Sequence, residues 1–374
     1  MLVLLSFAFG MASCDVHEFP EIPEKVPFTL HLNCKTQLPI HEEINYTTRS
    51  GNQLAEHDMR YIINVYRSED GENFTRQADT TIVYTRHLDE EKDHSIRLNL
   101  NQGFYNFIVW SDHVGKGTSG DKYYNTSNFA EITYPDQESY EGNNDFQDAF
   151  RGTVQATVLY DQYSDGGVVE QEAFIQLERP LAKFKFISTD LEEFIGQVLE
   201  SAASKGKTAS RTINPDDYRV VFRYTGFMPC SFNMFTNKPN DSWTGVFFDG
   251  KMIPLDEHEI ELGFDYVFVN GTESKTNVAV EVYDKDGELL SSTNTVEVPL
   301  VRSKLTIVRG NFLTSKATGS VGINPDCGLV EIVEVSALKW YIGTQFHPEY
   351  SSTVLHPHPL FLDFVKAAIS EIKK

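Results

Sequence analysis

The sequence predicts a mainly β protein, two β-sandwich domains followed by a short α/β C-terminal fragment, and three observations point there. Aromatic residues make up 12% of the 374 residues, with 17 Tyr and 26 Phe. That share suits half-buried strands, because flat rings pack well on a pleated face. Short runs that alternate apolar with polar side chains recur from Val26 onward, separated by clusters of Gly, Asn, Asp and Pro, which is the cadence of sandwiches. At 40% hydrophobic, the chain can fill two cores and leave a tail, since one core rarely grows much beyond ~250 residues.

In chain order, residues 28–32 and 61–66 alternate as half-buried strands do. Residues 95–100 place Ile96, Leu98 and Leu100 on one face. Asn101, Gln102 and Gly103 then turn the chain into the run 104–110, so a hairpin is expected. Residues 111–144 are rich in Gly, Asp, Asn and Tyr and read as a long irregular crossing between sheets. Strands resume at 154–159 and 173–177.

Pro180 precedes a fresh alternating strand, and the boundary between the two domains is placed there. Thr189, Asp190, Leu191 and Glu192 have the form of a capping box. Leu191, Phe194, Ile195, Val198 and Leu199 follow at helical spacing, so one amphipathic helix is expected to cross the second sandwich. Strands return at 219–224, 266–269 and 277–283. Asp286 and Gly287 turn the last of these toward Leu289 and Leu290, and 302–313 reads as a closing strand.

A formal net charge of −22 with no Lys/Arg stripe repels phosphate backbones, so nucleic acid is not an expected partner. Cys14, Cys34, Cys230 and Cys327 stand at no ligand-like spacing, which signals neither a zinc site nor a disulfide framework, although a Cys34–Cys230 bridge stays open. No metal and no cofactor are expected. The carboxylates of residues 284–288 have calcium-loop spacing without the closing bidentate Glu, and a hairpin turn explains them. Asn45, Asn73, Asn125, Asn240 and Asn270 sit in glycosylation sequons at a frequency chance accounts for, and Cys230 reads as packing. Trp110, Tyr123, Tyr124 and Trp243 would stack on sugars if exposed at loops, or fill the cores if not. That gives a surface glycan-binding alternative.

The first residues carry their own chemistry. Residues 2–9 are almost wholly apolar, and Gly10, Met11, Ala12 and Ser13 bring small side chains up to Cys14. The pattern looks like a lipobox: an apolar run for the translocon, small residues for the peptidase, and a thiol that accepts lipid. It lacks the basic residue that usually precedes the apolar run, so the true start is expected upstream. Residues 15–24, acidic and proline-punctuated, read as a tether. No apolar run long enough to span a bilayer follows.

Five segments carry a resemblance to the fimbrial anchor and subunit lipoproteins of Bacteroides-type bacteria. They are residues 14–20, Phe107-Ile108-Val109-Trp110-Ser111-Asp112, Arg179-Pro180-Leu181-Ala182-Lys183-Phe184, Phe222-Arg223-Tyr224-Thr225-Gly226-Phe227 and residues 308–314. The resemblance implies two transthyretin-like β-sandwiches, lipid-anchored through Cys14 in the outer membrane, that join other fimbrial subunits by strand exchange. The resulting division is 1–14 signal peptide, 15–27 tether, 28–178 first sandwich, 179–321 second sandwich and 322–374 tail.

The tail, about 322–374, is similar to the C-terminus of CTP synthase, whose glutaminase part is a class I amidotransferase. Its signature is Gln345-Phe346-His347-Pro348-Glu349-Tyr350. The resemblance makes His347 a general base and Glu349 the carboxylate orienting it, both serving a cysteine on a Gly-x-Cys-x-Gly elbow. No cysteine here sits in such an elbow, and no phosphate-cradling glycine loop is present. The pair is therefore expected to be vestigial and the chain not to be an enzyme. Residues 322–326 suit both families, which places the junction there.

Overall fold

The computed structural model describes residues 25–42, 56–88, 93–159, 170–206, 212–316, 319–323, 330–335, 342–345, 347–352 and 357–372. Cys14, the tether up to Glu24, Asn45, Cys327 and Trp340 lie outside the described residues.

The first half contains β1 (Val26–Cys34), β2 (Ile40–Glu42), β3 (His57–Ser68), β4 (Thr80–His87), β5 (His94–Leu100), β6 (Gly103–Gly115), β7 (Ile132–Thr133), β8 (Phe150–Val158) and β9 (Gln171–Leu177). One sheet has the order β5-β1-β9, with β9 parallel to β1, and the other is the antiparallel β4-β3-β6-β8. Alternation sorts the side chains as the sequence implies. Phe28, Leu30 and Leu32 of β1 meet Tyr61, Ile63 and Val65 of β3 and Phe107 and Val109 of β6 in one core.

The expected hairpin between residues 95–100 and 104–110 does not form. β5 pairs with β1 while β6 pairs with β3 and β8, so residues 101–102 carry the chain from one layer to the other. The reason is geometric: each strand has one apolar face, and placing the strands in opposite layers lets Leu98 and Leu100 face the same core as Tyr105 and Phe107.

The stretch after Trp110 also departs from expectation. β6 runs on to Gly115, and the irregular chain beyond it buries Tyr124, Phe129, Ile132, Tyr134 and Tyr140. Together with Ile62, Ile108 and Trp110, from the other face of β3 and β6, these residues belong to the core of the second half. The β3–β6 sheet is thus covered on both faces.

The second half contains β10 (Leu181–Ser188), α1 (Leu191–Ser204), β11 (Tyr218–Tyr224), β12 (Met228–Asn233), β13 (Lys238–Trp243), β14 (Phe247–Asp249), β15 (Ile253–Pro254), β16 (Ile260–Phe268), β17 (Glu273–Asp284), β18 (Leu289–Ser292), β19 (Val296–Val301) and β20 (Leu305–Gly310). Its pairing repeats that of the first half. β10 lies between antiparallel β16 and parallel β20, as β1 lies between β5 and β9. β11 pairs with β14 and β17, as β3 does with β4 and β6, and β17 pairs with β19 as β6 does with β8. The outer side of β20 receives β2, a parallel strand from the first half, where Leu305 N–H donates to the Pro39 carbonyl at 3.1 Å.

α1 begins where expected and buries Leu191 and Phe194, but there is no capping box. Thr189 Oγ1 donates to Asn311 Oδ1, and the Asp190 carboxylate accepts from the backbone and hydroxyl of Thr314 at 2.8 and 2.7 Å. The polar groups before the helix tie down the end of β20 instead of the helix's first turn. The turn at residues 284–288 matches its reading: Asp284 Oδ1 accepts from the N–H groups of Asp286 and Glu288, and Gly287 takes a φ of +81°. Cys34 ends β1 against the first core and Cys230 is buried in the second, so no bridge joins them.

The tail contains β21 (Gly319–Ile323), β22 (Val330–Val335), β23 (Ile342–Thr344) and α2 (Pro359–Ile372). Among the described residues, these strands pair only with one another. α2 leaves Phe361, Leu362, Phe364, Val365 and Ile369 exposed. No helix among the described residues is long and apolar enough to cross a membrane.

One buried carboxylate makes the second core pH-sensitive. Asp265 is fully enclosed, and its carboxylate accepts from the hydroxyls of Tyr140 and Tyr224 at 2.8 and 2.6 Å and from Tyr266 N–H. Burial pushes its pKa up to about 7 despite those donors. Because the folded value is raised, the folded state holds this proton more tightly than the unfolded chain. The stabilisation is complete below the ordinary carboxylate range and declines as pH rises to about 7. Asp265→Asn should flatten this decline, read from urea midpoints measured across that range against the unmodified protein.

Candidate functional site

Four of the five family-like segments lie among the described residues, and each anchors a joint of the fold. Asp112 accepts both arms of the buried Arg60 guanidinium at 2.8 and 2.6 Å. Arg179 donates to both oxygens of Asp148, at 2.7 and 2.8 Å, and to the carbonyls of Thr36 and Gln37, which lead into β2. Tyr224 reaches Asp265. Phe312 and Leu313 donate their backbone N–H groups to the hydroxyl of Ser188. These residues position elements of the fold.

A cleft of about 1170 Å³ opens between the two sandwiches. On one wall the rings of His57 and Phe146 stack 3.7 Å apart, and His57 Nε2 lies 2.7 Å from the Tyr123 hydroxyl and 2.9 Å from Lys122 Nζ. On the other, Phe247 and Ile253 are 48% and 44% exposed, beside the Arg219–Asp249 ion pair. Asp145 and Phe264 line the cleft and hold the buried Lys183 behind them, its Nζ 3.7 Å over the Phe264 ring and 2.6 Å from Asp145. Flat apolar faces alternating with fixed charges suit stacking and hydrogen bonding to a ligand. The His57 ring is held by stacking on Phe146 and by Lys122 and Tyr123.

The aromatic candidates divide. Trp110 and Tyr124 are fully buried and cannot meet a sugar, because the β3–β6 sheet is covered on the face they occupy. Tyr123 lines the cleft, and Trp243 is half-buried against the core, 6.3 Å from the Tyr134 ring. Sequence reasoning missed His57, Phe146 and Phe247, which come together only through the packing of one sandwich on the other.

In the tail, His347 is exposed and its ring lies 5.1 Å from that of Tyr350. The Glu349 side chain lies outside the described residues. Cys230 is in β12, buried, and burial pushes its thiol up to about 12, which keeps it protonated and poorly nucleophilic at neutral pH.

A model described as a family of unknown function, DUF6562, matches residues 23–328. The chain belongs to that family. The DUF6562 region takes in both sandwiches and ends within the tail. A stretch of the chain is 78% identical over 51 residues to CTP synthase of Bacteroides fragilis, and another match is 77% identical over 53 residues to that of Bacteroides thetaiotaomicron. Each covers 14% of this chain, and the chain spans only 10% of the length of those enzymes. Solved structures similar to the DUF6562 chain include the fimbrial anchor protein Mfa2 from Porphyromonas gingivalis, at 13% identity and a TM-score of 0.39 over 85% of this chain and 98% of that one. Another is a polysaccharide-binding candidate (DUF1812) from Bacteroides thetaiotaomicron, at 11% identity and a TM-score of 0.41 over 86% and 99%.

Proposed function

We propose that this DUF6562 protein is a non-catalytic cell-surface component of fimbriae, held in the outer membrane by lipid on Cys14 and joined to other subunits by strand exchange. The sandwiches occupy 28–178 and 179–321, and the 322–374 tail carries His347 and Glu349 as a vestige without glutaminase activity.

The observation that carries this reading is the placement of β20. It pairs with β10 along its whole length, yet its other side meets only β2, at Leu305 and Thr306. Beyond Thr306 that edge has no strand beside it among the described residues. An edge of this kind is a template for a strand from another chain, and a parallel closing strand has no tight turn tying it to its neighbour. The lipobox at residues 2–14 supports the anchoring.

Labelling cells with a fatty acid is the direct test. The unmodified chain should carry label and fractionate with the outer membrane, and Cys14→Ala should do neither. An unlabelled wild-type chain, or a labelled variant, sinks the anchoring. A second reading, a surface glycan binder, is favoured by Tyr123 and Phe247 facing the same cleft.

A further inference from the structure

A pocket of about 400 Å³ opens on the outer face of β8 and β9, closed on its far side by the β12–β13 turn and the start of the β19–β20 connection. Two arginines meet in it. Arg151 Nη2 donates to the Met234 carbonyl at 3.3 Å, while Arg302 donates to Asn237 Oδ1 at 2.8 Å and to the Val269 carbonyl at 3.0 Å. Both guanidiniums are held by neutral groups, neither makes an ion pair among the described residues, and the Nε of each is buried without a hydrogen-bond partner. Burial, and after it the repulsion from Arg302, hold the Arg151 guanidinium down to about 10 against the pull of Glu178.

The charges nearby do not resolve this. Glu178 lines the pocket, but Lys35 Nζ takes its carboxylate at 2.6 Å. Arg179 is already paired with Asp148. In a chain of net charge −22, two converging guanidiniums that face only Glu178, whose carboxylate Lys35 shares, keep an unbalanced positive charge that an anion from outside would meet, and their planar forks match a carboxylate.

The remaining wall narrows the class of ligand. Phe174 is 58% exposed, with one ring face against His31 at 4.5 Å and 11°. It therefore offers its other face as a flat apolar platform, and Gln176 and Thr153 stand beside it with groups that suit hydroxyls. We infer that the Arg151–Arg302 pocket binds the carboxylate of an acidic sugar whose ring stacks on Phe174. The site lies apart from the cleft between the sandwiches and does not depend on lipid anchoring or strand exchange.

The test is calorimetric titration of the full chain with a galacturonic acid trisaccharide and, separately, with the neutral galactose trisaccharide. The acidic sugar should bind, and Arg151→Gln, Arg302→Gln and Phe174→Ala should each weaken it at least about tenfold. Arg302→Lys, which keeps the charge and loses the fork, should weaken it as well, whereas the exposed Arg97→Gln should not. Thermal midpoints of the variants separate loss of binding from loss of fold. Equal affinity for the neutral sugar, no binding of the acidic one, or arginine-dependent binding of an oligoaspartate peptide as tight as that of the sugar would each overturn the assignment.

Discussion

Asp112→Ala should cost about 3–5 kcal/mol, measured as the shift in urea unfolding, which is a large part of the ~5–15 kcal/mol that holds a typical domain. The side chains of Arg60 and Asp112 are 3% and 0% exposed. Removing the carboxylate leaves the guanidinium buried with only Asp121, at 2.8 Å, and the Ser119 carbonyl, at 3.0 Å. Asp121 is 39% exposed, so water screens what it can return. The double variant Arg60→Met/Asp112→Leu should recover most of the loss, because both charges then go and the volume remains. If Asp112→Ala unfolds at the wild-type midpoint, the pair does not hold the first sandwich.

Gly250→Ala should be nearly as damaging, by about 3 kcal/mol or more. An added Cβ would overlap the Leu262 carbonyl and come within 2.6 Å of the Phe222 ring. The ring could be trimmed, but the carbonyl belongs to the backbone of β16, at the bulge between the Glu261 and Gly263 pairs with β10, and its shift would disturb the pairs on either side. Gly250→Ala/Phe222→Leu should therefore be no more stable than Gly250→Ala alone in the same denaturation experiment. Recovery in the double variant would show that the ring, and not the backbone approach, requires glycine.

The alternating strands and the tail's helix were legible because periodicity is local, and Leu30, Phe107, Val280 and Phe361 fall where that rule places them. What escaped was partnership. Residues 95–100 and 104–110 have hairpin spacing, and nothing in either run says that their apolar faces will oppose each other across two layers. Tyr124, Tyr134 and Tyr140 follow no period, so a segment that fills the second core read as loop. The three residues of β2 are too few to carry a pattern, and their place is set from a distance by Arg179 holding the Thr36 and Gln37 carbonyls. The Arg151–Arg302 pocket was hidden for the same reason, since its members lie far apart in sequence and meet only once both sandwiches are packed.

The repeated parallel pairing has a mechanical consequence. β1 and β9 are matched over seven residues, from Phe28 with Gln171 to Cys34 with Leu177, and β10 and β20 over six, from Lys183 with Leu305 to Ser188 with Gly310. Tension applied between the start of β1 and the end of β20 pulls the members of each pair past one another along their length. Every hydrogen bond in the ladder then shares the force at once, instead of breaking one at a time as in a hairpin peeled from its end. Each sandwich would resist such pulling as a shear clamp, the arrangement a tethered chain needs if it is to stay folded while whatever it holds is dragged through a flow.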